Sequence, residues 1–173
     1  MNIREVIQTT NQMQADGVIE RYALGGAVGA SFYLEPVATL DIFVAFRSEP
    51  GRLLVSPQPI FDYLKARGVT MEGEYIVVAG WPVQFLPPGT PLVAEALQEA
   101  VARDVDGTPA RVFTAEHLAA IALQTGRAKD KARLLQFVEA GALDAPRFHA
   151  IVARHDLVDA WQKFEQQFLT DTP

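Results

Sequence analysis

The run Leu40-Asp41-Ile42-Phe43-Val44-Ala45-Phe46 constrains this chain more than any other segment. It is β-branched, aromatic and almost uniformly apolar, the pattern of a strand covered on both faces. Asp41 breaks that pattern. A carboxylate buried without a partner is costly, so Asp41 either sits at an exposed strand end or is kept for a site.

Around this strand the chain alternates short β-like runs with helical patterns, and its last third reads as helical throughout. Ile3, Val6, Ile7 and Met13 recur at helical spacing, which predicts an amphipathic helix over 2–16 closed by Gly17. Arg21 to Leu24 reads as a short strand ending at Gly25-Gly26, and Ala27 to Leu34 as a short helix stopped before Pro36. A helix is expected over 58–67. Strands follow at 74–78 and 82–86, joined at Gly80-Trp81, then a helix over 91–102. Asp106-Gly107 signals a turn and Ala110 to Phe113 a strand. Thr114 is placed to cap a helix that Gly126 stops, with further helices near 129–139, 145–154 and 157–168. The expected class is α+β: a mixed sheet flanked by helices over 1–113, then a C-terminal helical extension over 114–173 packed on it.

Composition narrows the chemistry. With 49 % apolar and 21 % charged residues the chain is globular, and 173 residues can bury a core without staples. It has no cysteine, which excludes thiol catalysis, thiolate zinc sites and disulfides. No signal-peptide pattern or membrane-length apolar run is seen, so a cytoplasmic protein without membrane contact is expected. A net charge of −6 gives no general attraction to nucleic acid. Any such contact would come from the basic stretch Arg127, Lys129, Lys131 and Arg133, interrupted only by the acid Asp130.

Tyr22-Ala23-Leu24-Gly25-Gly26-Ala27 followed by Thr39-Leu40-Asp41-Ile42-Phe43-Val44 resembles the opening of the nucleotidyltransferase fold. The likeness is to the branch of abortive-infection and toxin–antitoxin nucleotidyltransferases. There a strand ends in Gly-Gly or Gly-Ser, a short helix follows, and the next strand carries Asp-x-Asp. Gly80 to Leu86 resembles the strand bearing a third carboxylate, and Gly126 to Arg133 the family's Arg-x-Lys-Asp helix.

The resemblance implies transfer of a nucleotidyl group from a nucleoside triphosphate (NTP) to an RNA or protein hydroxyl. Mg2+ would be held by Asp41. Gly25, Gly26, Thr39, Arg127 and Lys129 would bind the nucleotide. Glycines let phosphate approach backbone N–H groups, and carboxylates at i and i+2 share a strand face where they can hold metal.

The acidic set departs from the family's. If Asp41 is the first acid of the pair, Phe43 takes the second place; if it is the second, Thr39 takes the first. Gln84 stands where the third carboxylate is expected, and nothing in the sequence brings Glu35 or Glu74 to help. A degenerate relative that binds a nucleotide or a protein partner is therefore the rival expectation. A partner protein acting by contact alone is a third.

The remaining reactive residues read as structural. His117, His149 and His155 lack metal-ligand spacing, and Ser31, Ser48 and Ser56 lack a nucleophile-elbow pattern. Trp81, Trp161, Phe164 and Phe168 read as packing residues.

Overall fold

Helix α1 (Ile3–Ala15) turns Val6, Ile7, Thr10 and Met13 inward, a stripe at three- and four-residue spacing, and presents polar residues outward. In the computed structural model, residues 2–31, 40–46, 56–72 and 75–169 are described. After α1 come β1 (Ile19–Gly25), α2 (Gly26–Ser31), β2 (Leu40–Phe46), α3 (Gln58–Lys65), β3 (Thr70–Glu72), β4 (Tyr75–Val78) and β5 (Trp81–Leu86). The chain continues through α4 (Pro91–Gln98), β6 (Val101–Val105), β7 (Thr108–Val112), α5 (Ala115–Thr125), α6 (Ala128–Glu139), α7 (Ala145–Arg154) and α8 (Val158–Phe168).

The strands form one mixed sheet in the order β3-β4-β5-β2-β1-β7-β6. At its centre β2 runs antiparallel to β1 and parallel to β5, while β1 and β7 run parallel. The predicted α+β class is therefore the observed one.

Both faces of the central strands are covered, as the apolar run at 40–46 requires. Ile42 and Val44 join Tyr22, Leu24, Val83 and Val112 in a cluster under α1 and α3. Phe43 and Ala45, on alternate positions, pack on the opposite cluster with Ala23, Phe113 and the later helices. That second cluster is continuous across position 113: Leu92 and Phe113 share it with Leu118, Phe137 and Phe164. Helix α5 begins and ends where expected. The Thr114 hydroxyl accepts from the backbone N–H of His117, and Gly126 closes the helix with a left-handed φ of 67°.

Two expectations need correction, and one strand, β3, has no counterpart among them. The helix from Pro91 stops at Gln98 rather than 102, and Val101 opens the edge strand β6. Apolar spacing alone would have carried the helix on, but hairpin pairing with β7 decides. A tight turn at Asp106-Gly107, with φ of 50° and 79°, closes that hairpin. Similarly, the β4–β5 turn is Ala79-Gly80, one residue earlier than expected, again with two positive φ values. Strand β3 is too short to show a periodicity and exists through its pairing with β4. Among the described residues no helix is long and apolar enough to cross a membrane.

Candidate functional site

Backbone register aligns three of the residues singled out in the sequence. Gly25 on β1 pairs with Asp41 on β2, and Asp41 pairs with Gln84 on β5. One step further on, Phe43 pairs with Leu86. Asp41 is described by its backbone alone, and Thr39, Glu35 and Glu74 lie outside the described residues.

This end of the sheet opens into a cleft of about 800 Å3. Gly26, Phe43 and Gln84 line its sheet side, α4 and the second half of α5 its far wall, and Arg127, Lys129 and Arg133 its α6 rim. The tertiary structure thus brings together Gly26, Gln84, Arg127 and Lys129, which are distant in sequence. Arg133, Thr90 and Gln124 join them; the Thr90 hydroxyl donates to Gln124 Oε1 at 3.3 Å, tying the start of α4 to the end of α5.

Two aromatic rings define the floor. Phe43 and Phe113 stack with centroids 5.1 Å apart. They lie over Gly25, where an added Cβ would stand 2.5 Å from Phe43 Cε2 and 3.1 Å from Phe113 Cε2. Gly25 is therefore needed for ring packing, whereas Gly26 lines the cleft with a φ of 55°. Phe43 fills the place two residues after Asp41 with a hydrocarbon ring, which offers no metal ligand.

On the rim, Asp130 is buried (3 % exposed) and accepts from Arg127 Nε at 2.6 Å and Nη2 at 3.3 Å. This forked pair holds the Arg127 guanidinium at the helix start. Arg127 is therefore more than a solvated surface charge. Asp130 is the only carboxylate among the described cleft-lining residues, and Arg127 already engages it. These residues do not make the carboxylate clamp that two Mg2+ ions require.

A second polar constellation sits at the opposite end of the α4–α5 pair. Glu95 accepts from Arg154 Nη2 at 2.6 Å, His155 Nε2 at 2.8 Å and His117 Nε2 at 3.2 Å. These bonds, Arg154's foremost, hold its carboxyl down to about 2. His117 is fully buried, and burial lowers its pKa, which favours the neutral ring. The hydrogen bonds fit that state: Thr114 Oγ1 donates to Nδ1 at 2.8 Å and Nε2–H faces Glu95.

Glu95, Glu99 and His117 each offer one ligand atom within 4.8 Å of the others, a set that can hold a cation. Both carboxylates are engaged by arginines, however, Glu95 by Arg154 and Glu99 by Arg147 at 3.1 Å. No local pattern signals this knot, because its partners come from α4, α5 and the end of α7. His117 does have a structural role, as its helical context suggested.

No family model matches the chain, and no curated protein does. Solved structures do. An antigenic nucleotidyltransferase-like protein from Paracoccidioides brasiliensis superposes with a TM-score of 0.57 at 13 % identity, covering 92 % of this chain and 91 % of its own.

The fold is that of the nucleotidyltransferases.

ANT(2'')-Ia in complex with adenylyl-2''-tobramycin agrees, with a TM-score of 0.53, 13 % identity and 90 % and 98 % of the two chains covered. Its solution structure, at 14 % identity, covers 95 % and 96 % with a TM-score of 0.50. The nucleotidyltransferase fold anticipated from the glycine pair and the Asp41 strand is therefore present. These likenesses do not single out the abortive-infection or toxin–antitoxin branch.

Proposed function

We propose that this chain is a nucleotide-binding protein of the nucleotidyltransferase fold whose cleft retains the ligand site while its two-metal chemistry has degenerated. One observation carries the reading. The cleft keeps a basic rim on α6, yet on the sheet side Gln84 stands where the resemblance reserves a carboxylate, and the second acid of the pair is replaced by Phe43 or by Thr39 according to which member Asp41 is.

In this reading Lys129, Arg133 and the Asp130-anchored Arg127 meet the phosphate charge, Gly26 allows close backbone approach, and the apolar walls take the base. Gln84 offers an amide that donates and accepts hydrogen bonds but carries no charge. The other reading is a working transferase acting on an RNA or protein hydroxyl, with Asp41 as its metal-binding acid. The register of Asp41 between Gly25 and Gln84 favours it.

Calorimetric titration with each of the four nucleoside triphosphates, with and without Mg2+, separates the two. Binding that persists without Mg2+, survives Asp41→Ala and weakens in Lys129→Ala supports the degenerate binding module. Binding that requires Mg2+ and disappears in Asp41→Ala supports the transferase. Absence of binding to every triphosphate overturns both.

A further inference from the structure

A second cavity, of about 370 Å3, lies between α1 and the strands β1, β7 and β6. It forms where β1 and β7 draw apart: the two strands share one registered pair, Leu24 with Val112. Below that rung the gap is bridged by side chains. The Tyr22 hydroxyl donates to Asn11 Oδ1 at 2.7 Å, and Asn11 Nδ2 donates to the Pro109 carbonyl at 2.9 Å.

Arg21 and Arg111 line this cavity with Asn11 and Gln14. Among the described residues that line it the charged ones are both arginines, with no carboxylate beside them. Asp104, two residues along β6 from the lining Ala102, accepts from the N–H of Gly107 at 2.9 Å within its own turn.

The two arginines differ from most others in the chain. Arg67, Arg127, Arg147 and Arg154 are each ion-paired, and Arg4 and Arg103 donate to carbonyls. Among the described residues the guanidiniums of Arg21 and Arg111, like that of Arg133 on the other cleft, make no hydrogen bond or ion pair, although the backbone N–H and the charge of Arg111 both act on the Tyr22 hydroxyl. In a chain of net charge −6, acids are plentiful. Two unpaired guanidiniums beside amide donors, in one concave site, make a site for an anion rather than a solvated face.

We propose that this cavity binds a small oxyanionic ligand through a phosphate or carboxylate group, with Arg21 and Arg111 as its charged clamp and Asn11 and Gln14 as amide donors. Guanidinium forks match the paired oxygens of either group. The cavity suits a metabolite-sized molecule rather than a polymer, since the chain's overall charge opposes a long polyanion. The site is separate from the nucleotide cleft and does not depend on that reading.

The test is amide chemical-shift mapping of the whole chain at low ionic strength, titrated separately with inorganic phosphate and with malonate. Saturable shifts at Asn11, Gln14, Ala110 and Arg111 are expected with at least one anion. The stronger binder tells a phosphate-bearing ligand from a carboxylate-bearing one. Arg111→Gln and Arg21→Gln should each weaken binding by roughly tenfold or more, while Arg133→Gln, on the other cleft, leaves these shifts unchanged. Neither guanidinium has an ion pair to lose, so both variants should fold. Shifts absent with both anions, or persisting unweakened in both arginine variants, would overturn the proposal. Loss of nucleotide binding in Arg133→Gln with these shifts intact reports on the other site alone.

Discussion

The two ends of the α4–α5 pair are built on opposite principles. At the cleft end, the floor is two stacked rings over a glycine, and the buried acid of the rim is committed to an arginine. At the far end, one carboxylate gathers three donors from α5 and the end of α7. Shape fixes the first end and charge the second. A cleft held by apolar packing can keep its rim cations available for a ligand, whereas the knot uses its cations internally and serves stability.

Four measurements can break or sharpen that contrast. Gly25→Ala should have the largest effect, because its Cβ would meet the stacked rings. Chemical denaturation is expected to show a loss of about 1–3 kcal/mol. Phe43→Ala in the same chain should recover part of it, and no recovery would mean that the rings are not what the methyl strikes.

Glu95→Gln comes next. It leaves Arg154 and His155 without their anion, and with the site partly open to solvent the expected loss is about 2 kcal/mol. Nucleotide affinity should stay unchanged. A large change in affinity would show that the two ends are coupled.

The pH dependence of stability is the third. Glu95 is held at about 2 against a usual 4.5, and His117 lies below its usual 6.5. In both cases the unfolded chain takes up protons more readily than the folded one. Stability should therefore be full above about pH 6.5 and fall as the pH drops, first through His117 and then, below about 4.5, through Glu95. The acid limb below 4.5 should flatten in Glu95→Gln, and an unaltered limb would place its origin elsewhere.

Lys129→Ala is the smallest for stability, within about 0.5 kcal/mol, since Lys129 is an exposed residue on the α6 rim. It should nonetheless weaken triphosphate binding several-fold by calorimetry. Unchanged affinity would move the ligand away from the α6 rim.

Much of the fold was legible because it is written locally. The apolar run at 40–46 had to be a strand covered on both faces, and Ile42 and Phe43 do pack on opposite clusters. Thr114 and Gly126 marked the ends of α5 through cap chemistry that needs nothing distant. The glycine pair, the Asp41 strand and the Arg127–Lys129 segment together pointed to the nucleotidyltransferase fold.

What stayed hidden depends on partners far along the chain. Apolar spacing alone predicts a helix running past Gln98, whereas β6 exists only through pairing with β7. That the rings of Phe43 and Phe113, 18 and 88 positions away by residue number, take the space where a Cβ on Gly25 would stand is legible in no local pattern. Glu95, His117, Arg154 and His155 carry no shared spacing, so only the packing of α4, α5 and α7 could assemble them. Sequence determines which residues prefer a strand, a cap or a turn, since those preferences act over a few bonds. Which side chains fill a cleft or neutralise one another is decided by tertiary packing, because burial and Coulomb attraction act through space.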